Sequence, residues 1–469
     1  MNELTTKRAT GLDALRGFAI LTMVLSGVIP WGVLPSWMYH AQVPPPAHVF
    51  NPNLPGITWV DLVFPFFLFA MGAAIPLALS KRRESGESML KIIGYIVERT
   101  FLLGFFAILH RHFSPYVIGQ EQTATTWLLA FAGFLVMFAI YIRTPKNWDK
   151  KLGYGVKIAG WLGAVLMLAL LKYPDGTGFS LQRSNIILVV LMNVFLFGSI
   201  IWLLTPKNIL LRLAILGVFF GFRLSHEFGS WIGWLWNFSP IPWMYRMDYL
   251  KYLFIVLPGT IVGDMIVDWM KKPADEKFSW SPNHVHAISD LMMLFVVVLL
   301  VGLKARWLWQ TSLITFILLI AVAFLFRKPG NETELLLKRL FVWGAIWIVL
   351  GLVFEPFEGG IKKDHSTMSY YFLTTGLAIF MLISFTIIID VMKRGSFLQL
   401  LIDNGQNPMI AYSGMGGLVM PALCLTSLHP FILRNTASPW IGFCRGFVYT
   451  ILLALIVSFF TKKKIFWRT

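Results

Sequence analysis

Residues 37–69, WMYHAQVPPPAHVFNPNLPGITWVDLVFPFFLF, place two histidines and a carboxylate at the mouth of an apolar run. His40 and His48 lie in its polar, proline-rich half, and Asp61 stands where the chain turns hydrophobic. An imidazole can take a proton from an attacking amine or hydroxyl, or carry an acyl group itself. A nearby carboxylate can set which ring nitrogen holds the proton. Asp61 has a second use, because a carboxylate at the start of a helix satisfies free backbone N–H groups. The plain alternative for both histidines is an exposed loop. Four further charges stand at membrane depth, where they are costly and face the protein interior: Asp13 and Arg16 in GLDALRGF, Arg99 in VERTFLLG and Asp390 in IIIDVMKR. Asp13 and Arg16 are three apart, hence on one helix face. Asp390, beside Lys393 and Arg394, reads as a solvated helix end, and Arg99 as a side chain able to snorkel.

These residues must be positioned by membrane helices. The 469-residue chain is 57% hydrophobic and 13% charged, against about 25% charged in soluble domains. Apolar runs of about 20 residues, enough to cross hydrocarbon, recur along its length. They are continuous rather than alternating, so helices satisfy the backbone. The expected fold is all-α, a polytopic membrane bundle of about 11 to 14 spans forming one domain over residues 1–469. Spans begin near residues 12, 57, 90, 126, 153, 185, 208, 249, 285, 308, 339, 368, 408 and 440. Those starting at 208 and 408 read as candidate half-spans.

Lys and Arg concentrate in alternate loops, which places both termini in the cytoplasm and loop 31–56 outside. The formal charge of +17 is spread between spans, so nucleic-acid binding is not expected. No cleavable leader is evident before the first span. Cys424 and Cys444 read as free core thiols, and no metal-type His/Cys cluster is present. Residues 223–247 are rich in Trp and Tyr, either an interfacial belt or a lid on which a sugar could stack. A transporter that uses the intramembrane charges is the rival class, but the chain shows none of the internal symmetry common in transporters.

Two blocks of sequence carry a family resemblance. LDALRGFAILTMVL, the His40–Ala41 pair and GITWVDLVFPFFLFAMGAAIPLAL form the first. The second joins IKKDHSTMSYYF to DNGQNPMIAY. Together they resemble the transmembrane N-acetyltransferase family of heparan-α-glucosaminide N-acetyltransferase and its bacterial relatives. The matching positions are Asp13, Arg16 and Gly17; Gly56, Thr58, Asp61 and Pro65; and Lys363, Ser369, Tyr370, Gly405 and Asn407. The segment from His40 to Gly56 is longer than the family pattern, so His40 matches by identity and His48 by spacing. The tryptophan of the family's Lys-x-x-Trp pattern is absent.

The resemblance implies an enzyme that takes acetyl-CoA from the cytosol and acetylates an amino sugar or glycan on the outer side of a bacterial inner membrane, as a homodimer among membrane lipids and without a metal. Acetyl-CoA would be a co-substrate, its phosphates held by cations such as Arg16, Arg99 and Lys363. His40 or His48 would be the general base or acyl relay, with Asp61 orienting the ring. Asn407 would donate to the developing oxyanion. N- and O-acetylation are equally compatible with these residues.

Overall fold

The computed structural model describes residues 7–145, 148–273 and 278–469. Parts of two of the lysine-bearing loops, at 146–147 and 274–277, lie outside the described residues, as does the start of the N-terminal arm. Among the described residues fourteen helices are long and apolar enough to cross a membrane. In chain order they are α1 Thr10–Val28, α2 Trp59–Glu84, α3 Met89–His112, α4 Ala124–Tyr141, α5 Lys150–Leu170, α6 Ile186–Leu204 and α7 Ile209–Phe228. The second half holds α8 Met247–Met270, α9 Pro282–Lys304, α10 Leu308–Leu325, α11 Glu332–Val353, α12 Met368–Val391, α13 Pro408–Leu425 and α14 Pro439–Lys462. The expected α-helical bundle is therefore present, at the upper end of the expected span count. The two doubtful segments, α7 and α13, both reach spanning length; α13 does so through a π-helical turn, Met415–Val419.

The chain divides into two compact units. The first comprises the described residues up to Glu87, Ile201–Arg212 and Tyr252–Gly405; the second comprises Ser88–Ile200, Leu213–Lys251 and Gln406–Thr469.

In the first unit α12 is the central helix, with 89% of its apolar window buried. Its neighbours approach closely through glycines, the usual way for membrane helices to pack without a hydrophobic driving force. A Cβ on Gly72 of α2 would lie 2.3 Å from Val256 O of α8, and one on Gly263 of α8 would lie 2.3 Å from Ala73 O. The motif glycines of the two sequence blocks meet in the same manner. A Cβ on Gly17 would be 1.8 Å from Leu401 O, and one on Gly405 would be 1.8 Å from Asp13 O. Arg16 seals this crossing by donating from Nη1 to Gly405 O at 3.0 Å, with Asp13 Oδ1 at 3.4 Å.

Two carboxylates, the buried Glu334 and the partly exposed Asp264, fasten the same unit. Glu334 accepts hydrogen bonds from Gly330 N–H at 2.6 Å and Ser279 N–H at 2.7 Å, with further bonds from Trp280 N–H and the Ser279 hydroxyl. It thereby ties the segment before α9 to the start of α11. Asp264 pairs with the fully buried Arg212 at 2.8 Å and accepts from Trp202 Nε1 at 2.8 Å.

In the second unit, α4 and α3 hold the C-terminal segment through the buried Trp467 and Tyr141, whose hydroxyl donates to Leu102 O. Both cysteines are free thiols; Cys444 is exposed rather than in the core.

Candidate functional site

The loop after α1 is a rigid mount. Tyr39, 3% exposed, accepts the Val33 and Leu34 N–H groups on its hydroxyl and donates that hydroxyl to Pro30 O at 2.6 Å. Its carbonyl accepts the Thr58 hydroxyl at 2.7 Å. Gln42, fully buried, donates from Nε2 to Leu54 O and Gly56 O. His40 stands between these two anchors, so its backbone is fixed on both sides.

Asp61 serves both uses its sequence position suggests. It is the third residue of α2 and completely buried. Its Oδ2 accepts the Thr58 N–H at 2.9 Å, which caps the helix, and the Ala41 N–H at 3.2 Å, which pins the loop. The Oδ1 that remains lies 3.0 Å from His40 Nδ1 and 3.9 Å from Lys363 Nζ. The Asp61 carbonyl accepts the hydroxyl of the buried Tyr370, in the first turn of α12. The two sequence blocks, some 300 residues apart, are thus joined around one carboxylate.

A second carboxylate reaches the ring from the other side. Asp364 Oδ2 lies 2.7 Å from His40 Nε2. Asp364 belongs to the segment leading into α12, which is tied down at several points. Ile361 O accepts the Gly56 N–H at 2.7 Å, Lys362 N–H donates to Thr367 Oγ1 at 3.1 Å, and the Ser366 hydroxyl donates to Lys363 O at 2.5 Å. Glu355, 3% exposed, pairs with Arg306 at 2.5 Å and accepts the Ile361 N–H, while Glu358 caps α12 through Met368 N–H. Loops 30–58, 304–307 and 354–367 therefore close over one end of the first unit and hold His40, Asp61, Lys363 and Asp364 together.

His48 and Arg16 make other contacts within the first unit. His48, at φ +47°, stacks on Trp31 at 4.2 Å between ring centroids and meets Tyr39 edge-on at 4.8 Å, with neither ring nitrogen hydrogen-bonded. It braces the loop. Arg16 sits at the glycine crossing, twelve residues and about 18 Å of helix from the end of α1 nearest His40. Lys363, expected among phosphate-binding cations, lies instead beside Asp61, because the segment before α12 folds onto the start of α2. Arg99 and Asn407 belong to the second unit. Arg99 lies over the faces of Tyr95 and Phe195 and reaches the Thr469 hydroxyl. Both polar ends of the Asn407 amide are used: Nδ2 donates to Ile465 O at 2.8 Å and Oδ1 accepts Trp467 N–H at 3.2 Å.

Asp364 is the residue sequence reading missed. The available signal was its place next to Lys363, one turn before the Ser-Tyr start of α12. Among the described residues no group of three or more His, Cys, Asp or Glu side chains is arranged to hold a metal ion.

Comparison with known proteins gives a family model and two curated relatives. The family described as a domain of unknown function (DUF5009) matches residues 8–266, more than half of the chain. Heparan-alpha-glucosaminide N-acetyltransferase of Mus musculus is 22% identical over 484 residues, covering 99% of this chain and 61% of the mouse protein. The Homo sapiens protein of the same name is 34% identical over 97 residues, 20% of this chain and 12% of its own length. The chain thus spans less than two thirds of the curated relatives it matches.

Proposed function

The chain belongs to the family described as a domain of unknown function (DUF5009), and from that premise we propose that it is a membrane-embedded acetyltransferase. Its substrates would be acetyl-CoA from the cytosol and an amino sugar or glycan on the opposite side. The observation that carries this reading is the imidazole of His40, clamped on a rigid loop with a buried carboxylate 3.0 Å from Nδ1. The relatives' name supports an acetyl transfer and does not favour the transporter alternative.

In the productive arrangement Asp61 Oδ1 holds the proton on Nδ1, and Nε2 presents its lone pair to the acceptor. As the acceptor nitrogen or oxygen attacks the thioester carbonyl, its proton passes to Nε2; the carbon–sulfur bond breaks, and the departing thiolate takes that proton. General-base help of this kind contributes about 10²–10⁴ in rate. The alternative order, in which the imidazole first accepts the acetyl group and then yields it, uses the same nitrogen. Lys363, 3.9 Å from Asp61 Oδ1, balances the charge of the buried carboxylate.

The cations support the proposed sidedness. At the end of the first unit remote from His40, α2 finishes in Lys81, Arg82 and Arg83, α8 is followed by Lys271 and Lys272, and α12 by Lys393 and Arg394. That basic end suits the cytosolic face of a bacterial inner membrane, where a polyanionic co-substrate is supplied. The proposal is tested by incubating purified protein with acetyl-labelled acetyl-CoA and a panel of amino sugars and envelope glycans. Label in one acceptor class supports it; no labelled product with any acceptor refutes it.

A further inference from the structure

The two nitrogens of the His40 ring meet three partners between them. Nε2 faces Asp364 Oδ2 at 2.7 Å. Nδ1 faces Asp61 Oδ1 at 3.0 Å and also receives the Gln42 backbone N–H at 3.2 Å. A neutral imidazole has one proton to give, and the hydrogen-bond network decides which nitrogen bears it. Two neutral arrangements each meet some of these neighbours: a proton on Nε2 leaves Asp61 Oδ1 facing a lone pair, and a proton on Nδ1 leaves Gln42 N–H and Asp364 without their partner on the ring. With the proton on Nε2, the ring donates to Asp364 and accepts Gln42 N–H at Nδ1. With the proton on Nδ1, the ring donates to Asp61 and leaves a lone pair on Nε2. Only the second can abstract a proton or accept an acyl group at Nε2, and Asp364 occupies that position in the first.

The two carboxylates are mounted differently. Asp61 is fully buried and fixed by two backbone N–H groups, whereas the Asp364 side chain is 43% exposed. The backbone around Asp364 is tied to Gly56 and to itself. Rotation of the Asp364 side chain would carry its carboxylate from the ring toward the solvent that already reaches it.

We infer that Asp364 is a latch on the transferase centre, holding His40 in its unreactive tautomer until an acceptor displaces it. This rests on the acetyl-transfer reading above and adds a residue and a step to it. On opening, the Nε2 proton leaves with the carboxylate to solvent and Nδ1 gains one from solvent, so the ring keeps one proton and changes which nitrogen bears it. The consequence is protection of the thioester. With the latch closed, no base stands ready to activate water, and the wasteful reaction of acetyl-CoA with water to acetate and free CoA thiol is suppressed.

The test uses the full-length protein in detergent, as wild type, Asp364→Ala and Asp364→Asn, with two readouts. Diethyl pyrocarbonate acylates unprotonated imidazole nitrogens, and mass spectrometry locates the adduct on His40 without any turnover, the other histidines serving as internal reference. Adduct formation at His40 should be about tenfold faster in Asp364→Ala, the lower range of what a hydrogen bond to a charged group is worth, and also faster in Asp364→Asn. Hydrolysis of acetyl-CoA without acceptor should rise relative to transfer to glucosamine. An unchanged His40 adduct rate in both variants overturns the latch, as does an equal fall of hydrolysis and transfer. Should wild-type protein fail to turn over acetyl-CoA at all, the acetyl-transfer reading falls, while the adduct rate still judges the latch.

Discussion

Replacing Asp61 by asparagine keeps the shape of the side chain and alters one interaction. The amide oxygen would take the place of Oδ2, because the Ala41 and Thr58 N–H groups at 3.2 and 2.9 Å require an acceptor there. The amide NH2 is then forced against His40 Nδ1, 3.0 Å from the present Oδ1. That donor holds a lone pair on Nδ1 and the proton on Nε2, the wrong tautomer for a base. Stability should fall by only about 1 kcal/mol, since both backbone donors keep a partner and lose only the charge on it. Turnover should fall by roughly 10⁴, the scale seen when the orienting carboxylate of a serine-protease triad becomes an amide. Asp61→Ala behaves differently, because it strands two buried N–H groups at about 1–3 kcal/mol each, so thermal stability is lost together with activity. The assay pairs thermal unfolding in detergent with the rate of label transfer from acetyl-CoA. An Asp61→Asn protein with wild-type turnover would refute the tautomer reasoning. Equal losses of stability in the two variants would refute the hydrogen-bond assignment.

Other perturbations probe the frame. Glu334→Ala removes the acceptor of three backbone N–H groups and the Ser279 hydroxyl; it should lower stability by about 3 kcal/mol or more, read as a drop in unfolding temperature with unchanged turnover per folded molecule. Arg212→Ala leaves the partly exposed Asp264 without its cation and should cost about 1–3 kcal/mol, part of which returns when Asp264→Asn is added. Gly17→Ala and Gly405→Ala each force a methyl to within 1.8 Å of a backbone oxygen. Both should reduce the yield of folded protein sharply, measured by size-exclusion chromatography, since even ordinary overpacking costs about 1–3 kcal/mol. His48→Ala removes a ring stacked between Trp31 and Tyr39 and should lower the unfolding temperature by a few degrees while leaving the Nε2 chemistry of His40 in place.

The spans were legible because hydropathy in lipid is a direct constraint on the backbone. α2 is expected near residue 57 and begins at Trp59; α12 is expected at 368 and begins at Met368. Residues 408–425 read as a candidate half-span, and the π-turn at Met415–Val419 continues the helix through to Leu425. In the candidate site, Asp61 showed itself by its chemical improbability at the head of an apolar helix. Asp364 did not, because a charged residue in a polar loop is ordinary. Only the fold of the segment before α12 over the start of α2 brings it to His40. Nor does the chain show that Lys363, expected among the phosphate-binding cations, has Asp61 as its neighbour across the fold. Composition also gave no sign that Asn407 and Arg99 belong to the second unit, because membership of a packing unit depends on long-range contacts between helices.

The most direct measurement is label transfer from acetyl-CoA by purified wild-type, His40→Ala and His48→Ala proteins, each first shown to be folded by its unfolding temperature. The expected result is a loss of about 10²–10⁴ in turnover for His40→Ala, with His48→Ala retaining transfer. A folded His40→Ala protein that transfers acetyl groups at the wild-type rate would contradict the assignment of the chemistry to this imidazole.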